Sequence, residues 1–152
     1  MEEKAPNVIS QKAKYALRAL VALAKSRPGE PVFISEIASK QRIPQGFLEQ
    51  ILVEMKRQGY VASRRGKLGG YFLLKPADQI TFGQILRLVD GPLAPLPCLS
   101  VIAYRRCDDC EDEKTCEIRR VFARVIQATR EVLDKTTIAD AIAGNGLARV
   151  TN

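Results

Sequence analysis

Residues 34–74 read ISEIASKQRIPQGFLEQILVEMKRQGYVASRRGKLGGYFLL, and this stretch decides the fold. Ser35 is expected to cap a short helix with Ile37 and Ala38 on one face, its hydroxyl accepting from the partnerless N–H groups of the first turn. Pro44 cannot continue that helix, but its fixed φ suits the first turn of the next one. The second helix carries Phe47, Leu48, Ile51, Leu52 and Met55, apolar at helical spacing. Gly59 is placed to end it in a left-handed conformation. Residues 60–63 and 71–74 read as two short strands around the basic, glycine-rich turn Arg64-Arg65-Gly66-Lys67-Leu68-Gly69-Gly70. Helix, tight turn, helix and basic hairpin is the plan of a winged helix-turn-helix, in a chain that is mainly α with one small β-hairpin.

Upstream, a helix begins at Ser10, its possible cap, and buries Leu17, Leu20, Val21 and Ala24. Pro28-Gly29-Glu30-Pro31 breaks it, and residues 32–34 are expected to add a short strand to the hairpin. Downstream, Thr81 caps a helix over 82–89 with Ile85, Leu88 and Val89 inward, and Gly91-Pro92 ends it. Pro92, Pro95 and Pro97 stiffen the segment that leads to Cys98. A helix over 116–135, about 30 Å long, repeats Ile118, Val121, Phe122, Val125, Ile126, Val132 and Leu133 at three- and four-residue steps. A small wing domain lacks the surface to cover that stripe, so the expected cover is the same helix of a second copy in a two-fold homodimer. Ile138, Ala141 and Ile142 suggest a last helical turn. The expected organisation is a DNA-binding domain over 1–80, a connecting helix and Pro-rich segment over 81–97, a cysteine-rich loop over 98–116, a dimerisation helix and turn over 117–143, and a flexible tail over 144–152. Residues 1–8 are expected to be loose.

The net charge of +7 is unevenly placed. Residues 1–80 hold 14 Lys and Arg against 7 Asp and Glu, whereas residues 81–152 hold 10 of each. The whole excess therefore lies in the winged-helix segment, which favours a polyanionic partner over a merely soluble basic surface. No apolar run is long enough to span a membrane, and the basic N-terminus lacks a signal-peptide core, so a cytoplasmic location is expected. The chain has no histidine, which excludes Ser-His-Asp and Cys-His catalysis and any histidine metal ligand. A regulator rather than an enzyme is expected.

The N-terminal turn of the second helix is the candidate base-reading element. Gln45 and Gln50 can pair bidentately with adenine, Glu49 can accept from cytosine N4, and Phe47 lies among them. The alternative leaves Glu49 and Gln50 in solvent. Arg64, Arg65 and Lys67 put cations at the wing, where an arginine can enter a narrow minor groove. Lys12, Lys14 and Lys56 are candidate phosphate contacts.

Cys98-x8-Cys107-x2-Cys110-x5-Cys116 is the constellation that suggests chemistry. Four thiolates suit an iron–sulfur cluster. They also suit tetrahedral zinc, although structural zinc sites usually carry two CxxC knuckles and only one is present here. An unoccupied loop, or one that forms reversible disulfides, is the third reading. Asp108, Asp109, Glu111, Asp112, Glu113 and Glu117 surround the thiols and are expected to raise their pKa values. A redox protein that uses a cluster for electron transfer is a remote alternative.

At this point the chain resembles the Rrf2 winged-helix regulators, the IscR- and NsrR-like proteins, over roughly residues 10–140. The resemblance rests on Lys14-Tyr15-Ala16-Leu17-Arg18, Ile34-Ser35-Glu36-Ile37-Ala38, Leu48-Glu49-Gln50, Gly59-Tyr60-Val61, Arg65-Gly66, Gly69-Gly70-Tyr71 and residues 136–140. It implies a homodimeric transcription regulator on a partly palindromic double-stranded DNA operator. Relatives with three central cysteines bind a [2Fe–2S] or [4Fe–4S] cluster, of which [2Fe–2S] is the expected one, with zinc as the alternative. Other relatives lack the cysteines and respond through a partner enzyme. The spacing of Cys110 and Cys116 matches the family's last two cysteines, Cys98 best matches the first, and Cys107 is additional. Arg119 stands where IscR-like members have a ligating histidine. Lys14 stands where NsrR-like members have an aspartate. Cys107 is thus the implied fourth ligand, ahead of Glu111 or Glu113.

Overall fold

The computed structural model describes residues 9–144. Helix α1 (Gln11–Ala24) starts at Ser10, whose Oγ accepts from the Ala13 N–H at 3.0 Å. The Ser10 N–H also donates to Asp90 at 2.9 Å, which ties the start of α1 to the end of α4 (Phe82–Asp90). Helix α2 (Ile34–Gln41) begins two residues earlier than expected. Its N-cap is Phe33, without a side-chain cap, and Ser35 lies inside the first turn. The cause is tertiary: Val32 exchanges both backbone hydrogen bonds with Tyr71, each 2.8 Å, so the chain turns directly from that bridge into the helix. The strand expected over 32–34 is therefore this single bridge.

Arg42 turns the chain between α2 and α3 (Gln45–Arg57) with a left-handed φ of 53°. Ile43 N–H then reaches back to Ala38 O at 2.9 Å and satisfies a carbonyl at the helix end. Helix α3 closes in the same way: Tyr60 N–H donates to Met55 O and Gly59 N–H to Lys56 O, the paired bonds of a Schellman motif. Strands β1 (Val61–Arg64) and β2 (Gly70–Leu73) pair antiparallel, with Val61 opposite Leu73 and Arg64 opposite Gly70. Both strands begin and end within a residue of their expected bounds. Thr81 and Gln84 form a reciprocal capping box at the start of α4. Short 3-10 turns over Ala77–Gln79 and Pro97–Leu99 lie on either side of α4 in the chain.

Helix α5 (Glu117–Lys135) matches the expected long helix, and α6 (Ile138–Ala143) the expected last turn. Thr137 and Asp140 cap α6 reciprocally, and the Ile138 N–H donates to Ile80 O at 2.8 Å. The fully buried Ile138 thereby joins one core with Leu20, Ile37, Leu48, Ile51, Leu52, Met55, Val61, Ile80 and Ile85. Each such aliphatic side chain contributes roughly 1.5–3 kcal/mol by leaving water. The expected looseness of residues 1–8 and mobility of residues 145–152 lie outside the described residues.

Arg87 of α4 grips Asp134 of α5 through two hydrogen bonds of 2.5 and 3.0 Å. The Arg87 guanidinium holds the Asp134 carboxyl below the usual carboxylate range. A carboxyl depressed in the folded state stabilises it above the unfolded pKa, about 3.9, and loses that contribution as pH falls through the folded value. Asp134 is partly exposed, so Asp134→Asn is expected to cost under about 1 kcal/mol at pH 7. Urea unfolding at pH 7 and near pH 2 checks this: the cost disappears in acid, and an equal cost at both pH values contradicts the pairing.

Candidate nucleic-acid interface and cysteine loop

Leu48, Ile51, Leu52 and Met55 bury one face of α3, so the opposite face is forced outward. That face presents Gln45, Gly46, Glu49, Gln50, Val53, Lys56 and Arg57 to solvent. Phe47 does not join it freely. Its ring packs edge-on against Tyr15 of α1, with centroids 5.6 Å apart, so Phe47 helps to set the angle of α3 on α1. Val53 was missed by sequence reasoning, although its place one turn beyond Glu49 was a sufficient signal. It is an apolar residue, 49% exposed, on an otherwise polar helix face, and can meet a thymine methyl.

The wing follows directly. Arg64, Arg65 and Lys67 are exposed and form no ion pair among the described residues. Arg64 lies over the Phe72 ring, 5.9 Å from its centroid, which orients the guanidinium at the root of the turn. Gly69 N–H donates to Gly66 O at 2.9 Å and closes the tip. Gly70 combines a φ of 135° with the closest approach to Val32, and a Cβ there would run into the Val32 carbonyl.

The three candidate phosphate contacts differ. Lys14 is exposed on α1. Lys12 pairs with Glu54 of α3 at 2.8 Å, and Lys56 donates to Ser63 Oγ of β1 at 2.6 Å. The latter two ammonium groups brace α3 against α1 and the wing.

The cysteine loop lies between the Pro97–Leu99 turn and α5. Cys98 is buried, and Cys107, Cys110 and Cys116 are half-buried, all as free thiols. Partial burial, the neighbouring Cys98, Asp109 and Cys110, and a hydrogen bond with the Cys98 side chain raise the Cys107 pKa. The expected acidic influence thus reaches Cys107 through Asp109. Cys116 is the N-cap of α5, with Sγ accepting from the Arg119 N–H at 3.4 Å. Glu113 accepts from Tyr104 O–H, and that bond raises the tyrosine's pKa. The donor set suits an iron–sulfur centre chemically, and the buried Arg119 Nε has no hydrogen-bond partner among the described residues. Yet no three potential ligands among the described residues come together as a metal group. Cys98 and Cys110 both lie near enough to Cys107 to raise its pKa, and the four sulfurs do not form one metal group among the described residues.

A two-helix reader with a basic hairpin defines a winged-helix DNA-binding protein. The chain belongs to the Rrf2 family: the family model described as an iron-dependent transcriptional regulator matches residues 9–144. The rrf2-like HTH-type transcriptional regulator of Rhodobacter capsulatus is 46% identical over 147 residues, spanning 94% of this chain and 98% of that protein. The solved structure of CymR, the global cysteine regulator of B. subtilis, is 33% identical with a TM-score of 0.74, covering 91% of this chain and 98% of that one. IscR of T. potens is 26% identical with a TM-score of 0.70, covering 94% of this chain and 93% of that one. No helix among the described residues is long and apolar enough to cross a membrane.

Gly70→Ala is expected to destabilise the fold by about 2 kcal/mol or more, since the residue would combine a disfavoured φ with a backbone clash. Urea unfolding reads this directly, and an unchanged midpoint would contradict the close approach of wing and Val32.

Proposed function

We propose that this chain is a homodimeric, cytoplasmic transcription regulator that binds a partly palindromic operator through α3 and the wing. The observation that carries the reading is the exposed polar face of α3, followed along the chain by wing cations that form no ion pair among the described residues. Gln45, Glu49 and Gln50 face base edges in the major groove, with Val53 beside them. Arg64, Arg65 and Lys67 follow the backbone into the adjacent minor groove, and Lys14 contacts phosphate. Lys12 and Lys56 act by bracing α3, and each reaches phosphate only if it leaves its present partner. Phe47 orients the helix.

The dimer reading is supported by α5. Ile126 faces its own chain and is 4% exposed, whereas Ile118 and Val132 are each 62% exposed and Val121 is 60% exposed. Together with Val125 they form a stripe on the outward face at helical spacing, the geometry of a two-fold helix pair.

The 98–116 loop is the sensing element in this reading. Cys98, Cys107, Cys110 and Cys116 would hold an iron–sulfur cluster, [2Fe–2S] in preference to [4Fe–4S], and the bound cluster would supply redox and ligand sensitivity. Loading would require the sulfurs to converge beyond their present arrangement. Because the loop joins the connecting segment to α5, its order would bias the spacing of the two reading heads. Zinc, or a cluster-free thiol switch, is the second reading. The proximity of Cys98 and Cys110 to Cys107 supports the thiol form.

Arg65→Ala is expected to weaken operator binding and to lower the slope of log affinity against log salt by about one, the signature of one lost phosphate contact. Fluorescence anisotropy over a salt series measures it, and identical slopes would remove Arg65 from the interface. For the loop, anaerobically prepared protein is expected to absorb in the visible and to carry iron and sulfide, both lost in Cys116→Ala. Colourless protein containing zinc would favour the second reading, and a Cys116→Ala variant with full iron and sulfide would refute the ligand set.

A further inference from the structure

A cavity of about 320 Å³ opens between α4, the Pro-rich segment and α5, a volume within the range of roughly 300–1,000 Å³ usual for small-molecule sites. One wall is apolar. Pro92, Leu93 and Ala94 line it from the segment that leaves α4, and Val101 and Ile102 from the turn after Cys98. That turn is fastened twice: the Ala103 N–H donates to Ser100 Oγ at 2.9 Å, and the Arg105 N–H to Pro97 O at 3.1 Å. It holds Val101 and Ile102 at the cavity 80% and 74% exposed, where a bound apolar group would take them out of water. The rest of the lining carries charge. Arg87 donates to both Asp134 oxygens, and after it Arg130 also helps to keep the Asp134 carboxyl ionised. Two guanidiniums against one carboxylate leave one positive charge in excess. Arg130 holds the Leu99 carbonyl through Nη2 at 3.3 Å. A guanidinium has five N–H donors, and the others on Arg130 have no hydrogen-bond partner among the described residues. Ser100 lines the same cavity, and its hydroxyl accepts from Ala103 while keeping its own O–H to donate.

We propose that this cavity binds a small monocarboxylate with a short branched apolar body, its carboxylate held by Arg130 and Ser100 and its carbons against Leu93, Val101 and Ile102. The donors are of the right kind, since a guanidinium and a hydroxyl both give hydrogen bonds to an anionic oxygen and the charged one is the stronger. The excess cation selects an anion over a neutral molecule of the same shape. An ammonium group would face two guanidiniums, and a second carboxylate would face Asp134, so amino acids and dicarboxylates fit less well. The lining comes from both sides of the joint between the winged-helix head and α5. A bound ligand would therefore brace that joint, whatever the cysteines hold.

The test titrates the full chain with sodium isovalerate by isothermal calorimetry at constant ionic strength. Isovaleramide and leucine serve as the neutral and zwitterionic counterparts. Saturable binding of isovalerate is expected, with each counterpart about tenfold weaker or more, as the loss of a charge-assisted hydrogen bond implies. Arg130→Gln is expected to weaken isovalerate by a similar factor. Because Arg130 also holds the Leu99 turn, a second variant addresses the apolar wall. Ile102→Asp alters a largely exposed side chain, leaves the core intact and sets a carboxylate beside that of the ligand. It is expected to abolish binding. Absence of saturable binding, equal affinity for either counterpart, or isovalerate affinity unchanged in either variant overturns the site. Loss of the dimer in Ile102→Asp, with no isovalerate bound by the unaltered chain, would give the apolar wall to a second copy and overturn it as well. No DNA enters these readouts, so they stand or fall apart from the operator reading.

Discussion

The two backbone hydrogen bonds between Val32 and Tyr71 hold the reading head together. They tie the hairpin to the residue pair that launches α2, so the wing and the helix-turn-helix cannot move independently. Gly70 is the local requirement of that contact, since a side chain there would occupy the space of the Val32 carbonyl. A hairpin of two short strands is marginal by itself in water. Here it gains a third edge and a core that includes Val61, with Tyr71 and Leu73 packed against it. The tie fixes the placement of the hairpin on the helix-turn-helix.

A second tie couples this head to the far end of the chain. Thr136 O accepts from Phe82 N–H, and Ile80 O accepts from Ile138 N–H, so the end of α5 and the start of α6 are bonded to the approach to α4. The Arg87–Asp134 pair repeats the coupling through side chains. The cysteine loop also reaches α5, where Arg130 donates to the Leu99 carbonyl of the Pro97–Leu99 turn. A change in the loop therefore acts on α5, and α5 is already fastened to the core that α3 buries. This is a physical route between the cysteine loop and α3, in which each link is a named contact.

Much of this was legible in the sequence wherever the determinant was local. Ser10 and Thr81 cap the helices expected of them, and α3 and α5 follow their apolar spacing closely. Ser35 misled because its capping chemistry was overridden by Val32's bridge to a strand far along the chain. Arg42 carries no signal for a left-handed turn, since glycine or asparagine is the residue that normally marks one. Ile138 looked like part of a peripheral turn, and its burial depends on where Ile80 sits. The exposed face of α3 could be read from helical geometry. The pairing of Lys12 with Glu54 and of Tyr15 with Phe47 could not, because each joins separate helices. Cysteine spacing likewise suggested a metal centre without showing that the four sulfurs would not come together as one group among the described residues.

The most direct test of the central claim is chemical footprinting of the full-length protein on a duplex selected from a random pool. The account predicts two protected patches one helical turn, about 34 Å, apart. Each would combine shielded major-groove purine N7 atoms with shielded sugars in the neighbouring minor groove. A single patch, protection in one groove only, or no duplex enriched over bulk DNA would contradict it.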